Sequence, residues 1–171
     1  DDWFHPDRVR AELAELSRTG AQALVLEDAL LYFPAERTLH WSNWRATEPK
    51  GLPGTLMFRR AAAVPYPDTG PEAFRGEDTT AITRMQGQGG YRAMAGAAHL
   101  YVYVCHAANI SGAAHLAMLA RELAISRTLL ARREAELRER LRAFDFGPGA
   151  VTVCGYNGVV FTIEGATAGG R

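Results

Sequence analysis

Ala23 to Phe33 and Ala98 to Cys105 restrict the fold more than any other segments. Both are rich in apolar and β-branched side chains, the pattern of strands buried on both faces. Such strands need cover above and below, and helical patterns lie along the chain to supply it. Pro6-Asp7-Arg8 opens one helix; Val9, Leu13 and Leu16 follow at helical spacing, and Thr19-Gly20 ends it. Ser111 to Ala124 and Ser126 to Phe144 are further helices, the second with Leu129, Leu130, Leu137 and Leu141 on one face. Thr38 to Trp44 is the return strand of a hairpin after the Pro34–Arg37 turn, and Thr55 to Arg59 is a short apolar strand or a first turn. The last hairpin, Val151 to Ile163, turns at Asn157-Gly158. The expected class is α/β: a mixed sheet from strands near 23–33, 38–44, 55–59 and 98–105. Helices near 6–19, 112–124 and 126–143 cover it, the last two forming a C-terminal helix pair before the hairpin.

Composition removes several classes of function. The 171 residues suffice for one domain with a hydrophobic core, at 47% hydrophobic and 22% charged. Lysine plus arginine equals aspartate plus glutamate, so net charge is zero. A nucleic-acid partner needs a basic excess that is missing here. Lys50 is the single lysine, which points to coding bias rather than a site. Cys105 and Cys154 show no CxxC or Cys/His spacing. Buried free thiols are therefore the default expectation rather than structural zinc, with a disulfide as an alternative that nothing in the pattern supports. No apolar run is long enough to cross a bilayer, and the acidic, aromatic start is the reverse of a signal peptide.

Three polar clusters interrupt the apolar pattern. Asp1-Asp2-Trp3 places two carboxylates side by side, which suits a hard divalent cation; alone, the pair reads as a solvated chain end. Arg75-Gly76-Glu77-Asp78-Thr79 places two acids at a helix start after an irregular, proline-rich connector at 61–76. They serve either as dipole-favoured capping groups or as a general base held at a loop–helix junction. His106 follows the strand Tyr101-Val-Tyr-Val-Cys105, with Asn109 three residues on. A core histidine is one reading; a ligand completing a carboxylate metal shell is the other. His5, His40, His99 and His115 read as structural or surface residues.

The order of these clusters, with Gly54-Thr55-Leu56-Met57-Phe58-Arg59-Arg60 between the first two, resembles the second half of family 2 glycosyltransferases of the GT-A type. The resemblance covers about residues 1–110, and Gly-Glu-Asp-Thr and Tyr-Val-Tyr-Val-x-His are its most specific segments. It implies a partial GT-A-like sheet and a Mg2+ or Mn2+ site formed by Asp1, Asp2 and His106. It implies Asp78, with Glu77, as catalytic base, and substrate contacts at Trp3, Gly54, Thr55 and Arg75. A surface salt bridge is the competing role for Arg75. The implied reaction moves a sugar, with inversion, from a nucleotide-diphosphate donor to a hydroxyl of a carbohydrate or lipid-linked acceptor, in the cytoplasm. Residues 1–110 would be the acceptor-side half of the domain, and 111–171 its helical extension and terminal hairpin.

The first, nucleotide-binding half of such a domain has no counterpart here, and no Gly-rich phosphate loop replaces it. Little transferase activity is therefore expected of the 171 residues alone, and an exposed sheet edge is expected to favour oligomers. The competing function is a non-catalytic α+β binding module. A metal-dependent hydrolase is disfavoured because no HExxH or paired His-x-Asp cluster occurs.

Overall fold

A computed structural model describes residues 2–73 and 76–165. In chain order the elements begin with β1 (Trp3–Phe4), α1 (Arg8–Thr19), β2 (Ala23–Leu26), β3 (Asp28–Phe33), β4 (Thr38–Asn43) and β5 (Met57–Phe58). Then come α2 (Glu77–Gly87), β6 (Tyr91–Met94), β7 (Tyr101–Val104), α3 (Ala113–Glu122), α4 (Arg127–Arg132), α5 (Glu134–Leu141), β8 (Ala150–Gly155) and β9 (Gly158–Glu164). The class is mixed α/β, as expected. The chain forms two compact units interleaved along the sequence: residues 1–6, 29–43 and 98–171, and residues 7–28 and 44–97.

The first unit holds a six-stranded sheet in the order β1-β7-β3-β4-β8-β9. β3 runs parallel to β7, and β4 parallel to β8, while β1 and β9 are antiparallel to their neighbours. One face carries Leu30, Tyr32, Leu39, Trp41, Val102, Val151, Val153, Phe161 and Ile163, packed with Leu130, Leu137 and Leu141 of α4 and α5. Each buried leucine there contributes roughly 1.5–3 kcal/mol relative to an exposed one. The other face packs Leu31 and Cys105 against Leu116 and Ala120 of α3. The terminal hairpin turns at Asn157-Gly158, with Asn157 at φ 58°, and lies along β4 instead of leaving that edge open.

The second unit holds a three-stranded sheet, β5-β2-β6, against which α1 packs Leu16 near Ala21 and Leu24. Gly20, at φ 70°, ends α1 in the left-handed conformation that a side chain would resist. Among the described residues, no helix is long and apolar enough to cross a membrane.

Several expectations require correction. Ala23 to Phe33 is not one strand: it breaks at Glu27-Asp28, and its halves join different sheets. The Asp28 carboxylate is buried and accepts the Gly96 amide at 2.6 Å, while Glu27 exchanges backbone bonds with Met94 and Trp44. Thr55 to Arg59 contributes only Met57–Phe58, and to the three-stranded sheet. Ala98 to Leu100 is a 3-10 turn ahead of β7. The 126–144 helix breaks at Arg133, whose φ and ψ of −96° and 0° leave the helical region while its guanidinium lies 5.6 Å over the Trp41 ring. That break leaves Leu129 exposed while Leu130, Leu137 and Leu141 go inside. In α1 the buried residues are Glu12 and Leu16, whereas Val9 and Leu13 are 64% and 54% exposed. Glu12 pairs with Arg8 at 3.0 Å, burial raises its carboxyl above the usual range, and its Oε2 has no hydrogen-bond partner.

Candidate functional site

The first cluster of candidates sits at the carboxyl end of β7, the end of parallel strands where α/β sheets place their ligands. The antiparallel β1–β7 ladder, with Trp3 opposite Val102, brings Asp2 alongside the last residues of β7. The Asp2 Oδ1 atom accepts the Val104 amide at 3.0 Å, a contact between residues 102 positions apart. The Tyr101 hydroxyl donates to Oδ2 of the same carboxylate. His106 lies two residues beyond Val104. Its amide donates to the Asn109 side chain, so Asn109 closes the turn that carries the imidazole. The Ala108 amide donates to His106 Nδ1 at 3.2 Å.

Asp2 thus lies beside the strand end that leads to His106; Asp1, the third expected ligand, lies outside the described residues. Among the described residues, no three His, Cys, Asp or Glu side chains converge into a metal-holding group. Cys105, between Val104 and His106, is a buried free thiol. Burial, and then the charges of Asp2 and Glu36, raise it to about 12, so it is no nucleophile at neutral pH. Trp3 is half-buried among aromatic rings, 5.4 Å from Tyr32, 5.3 Å from Phe146 and 6.2 Å from Phe144. Its ring belongs first to the core of its unit.

The second cluster stands at the amino end of α2, where Gly76 takes φ 83°. Glu77 is exposed and Asp78 is half-buried. Asp78 Oδ1 accepts the Thr79 amide at 2.8 Å, a local bond that fixes the carboxyl at the helix start. Burial raises its pKa above the usual aspartate value, the Thr79 amide opposes this, and the charge of Glu77 adds to it. Such a carboxyl is a stronger base than a solvated one.

Tyr66 was not among the sequence candidates. Burial raises its hydroxyl first, and the charges of Asp78 and Glu77 follow, so the phenol feels the acidic pair. Arg84 of α2 ties the neighbouring Pro65 carbonyl at 2.8 Å, which fixes this stretch of connector against the helix. The available signal was a lone aromatic between two prolines in the irregular connector. Arg75 lies outside the described residues.

Gly54 is exposed in the 3-10 turn Pro53–Thr55 and offers its carbonyl to Arg8 at 3.5 Å. Thr55 is a correction. It is fully buried; its hydroxyl donates to the Leu52 carbonyl at 2.6 Å and accepts the Leu26 amide at 2.8 Å. Both hydrogen-bonding capacities serve the loop, so Thr55 staples it to β2 and does not reach a substrate. No family model, curated protein or solved structure matches this chain.

Proposed function

We propose that this chain carries the acceptor-side half of an inverting, metal-dependent glycosyltransferase, acting on a nucleotide-sugar donor and a hydroxyl acceptor. The observation that carries the reading is the Asp2–Val104 contact. It seats the acidic residue just before the first strand beside the strand end that leads to His106, across 102 positions of the chain.

The donor chemistry suits Mg2+ or Mn2+. Each Asp2 oxygen accepts a single hydrogen bond and keeps a lone pair for a hard cation. An imidazole is acceptable to Mn2+. The His106 ring must exchange a bond on binding. The Ala108 amide occupies Nδ1, so coordination through Nδ1 displaces it, and coordination through Nε2 puts a proton on Nδ1 facing it. The bound ion would offset the negative charge that grows on the departing diphosphate.

The remaining work falls to side chains. The resemblance gives the part of base to Asp78, which would take the proton of an acceptor hydroxyl as that oxygen attacks an anomeric carbon in line and inverts it. One base suffices, unlike the carboxylate pair of glycoside hydrolases. Burial first, and then the charge of Glu77, keeps Asp78 basic. Nucleotide sugars as donors go with a cytoplasmic location.

The non-catalytic binding module is the second reading, favoured by the incomplete ligand set among the described residues. Mn2+ titration, followed by the electron paramagnetic resonance signal of free Mn2+, separates the two. Asp2→Ala and His106→Ala are each expected to weaken Mn2+ binding by about tenfold or more. Unchanged affinity in both variants, or no binding by the parent chain, would favour the module.

A further inference from the structure

Within the first unit, α3 covers the β7 and β3 part of one sheet face. Over β4 and β8, beside that helix, lies an open cleft of about 390 Å³. Its lining includes Phe33, His40, Ala120 and Cys154, with Glu36 and Arg121 adding opposite charges. His40 and Cys154 are direct partners in the parallel β4–β8 ladder. Their neighbours Leu39, Trp41 and Val153 belong to the core on the opposite face, so strand alternation turns both His40 and Cys154 into the cleft. The β8–β9 register shifts between Val153 and Cys154, where Val160 of β9 is the unmatched residue.

The His40 ring packs edge-on against Phe33 at 5.5 Å, and among the described residues its nitrogens have no hydrogen-bond partner. Burial lowers its pKa, which keeps a nitrogen lone pair free at neutral pH. Cys154 is a buried free thiol whose hydrogen bond to the Thr152 carbonyl is long, at 3.9 Å.

We propose that Cys154 Sγ and an imidazole nitrogen of His40 form a two-donor site for a soft, low-coordinate cation of the Cu+ class. Neighbouring strands lie about 4.8 Å apart. Thiolate and imidazole bonds to a d10 metal ion, about 2.3 and 2.0 Å long, together span roughly 4.3 Å. The two lengths are alike, so one ion fits between side chains of ladder partners that line the same cleft, in a near-linear arrangement. A hard cation needs six or more oxygens, and a zinc site needs three or four protein donors. No third His, Cys, Asp or Glu joins this pair among the described residues, which leaves an ion content with two soft ligands. On binding, the Cys154 S–H bond breaks, its electron pair forms the S–Cu bond, and the proton passes to solvent. No electron changes hands. Because burial raises the thiol pKa, the affinity increases with pH.

The test uses the reduced chain under anaerobic conditions, with Cu+ distributed between the protein and a chromophoric Cu+ chelator. A single tight equivalent is expected, retained by Cys105→Ser, lost in Cys154→Ser and weakened by about tenfold or more in His40→Gln. Binding that survives Cys154→Ser, or that ignores His40→Gln, overturns the site. A measurement on the unaltered chain guards against a misfolded variant: adding Ag+, a redox-inert probe, must shift the His40 ring 15N resonances, and their failure to move refutes the proposal. Neither readout depends on transferase activity.

Discussion

Asp78→Asn is expected to lower the turnover of the proposed transferase by about 10²–10⁴-fold, the usual contribution of a positioned base. An amide keeps the shape of the side chain and removes its capacity to take a proton. Mn2+ affinity is expected to stay at the parent value, because Asp78 is not among the proposed ligands. The pH profile carries a second signature. The base works only when deprotonated, and burial together with Glu77 raises its pKa. Turnover therefore falls as pH drops through that raised value, and the acid limb lies above the ordinary aspartate range. Glu77→Gln removes the neighbouring charge and should move this limb downward. The same shift has a cost in stability. The folded state holds the Asp78 proton more tightly than the unfolded chain does, so stability declines as pH rises from the ordinary aspartate value through the raised one. Steady-state rates measured from acid to neutral pH check both variants; an Asp78→Asn protein with parental turnover removes Asp78 from the chemistry.

Thr55→Val is expected to destabilise the chain by about 1–3 kcal/mol. Valine matches the shape of threonine but strips both bonds from a fully buried position. The Leu26 amide loses its acceptor, worth about 1–3 kcal/mol when left buried and unpaired, whereas the Leu52 carbonyl keeps the Thr55 backbone amide at 3.0 Å. Thr55→Ser keeps the hydroxyl and should lose far less. Urea unfolding reads the difference as a fall in midpoint at constant slope. A valine variant as stable as the parent would mean that the loop relaxes and the staple is dispensable.

The Thr55 result shows where the sequence is readable and where it is not. A Gly-Thr pair in a polar loop carries no mark that the hydroxyl will meet a strand amide 29 positions earlier. Local signals fared better. Asn157-Gly158 specified its hairpin because only a few residues accept the backbone angles of such a turn. The apolar content of Ala23 to Phe33 correctly indicated burial, yet the Glu27-Asp28 pair inside it was the sign of a break: a buried acid needs a partner, and the Asp28 carboxylate takes the Gly96 amide while the Glu27 backbone bonds Met94 and Trp44. Trp3–Phe4 is too short to show a period, so β1 was invisible, although it is what positions Asp2. Asp78 at a helix start was legible from the order of residues alone. Its half-buried setting, and the nearby phenol of Tyr66, depend on how the proline-rich connector packs, which no local pattern encodes.

The six-stranded sheet sets a schedule for the chain as it is made. β4 finds its neighbour β8 more than a hundred positions later, and the β1–β7 pairing spans nearly as far. Contacts of such separation must close long loops before any gain is realised, which slows folding. A ribosome releasing this chain from the amino end exposes β3 and β4 well before Ala150–Glu164 emerges. Residues 7–28 and 44–97, by contrast, have their whole sheet in hand by Met94. Synthesis thus delivers a finished three-stranded sheet while the larger one waits, its apolar strands open to chaperones or to strands of other nascent chains.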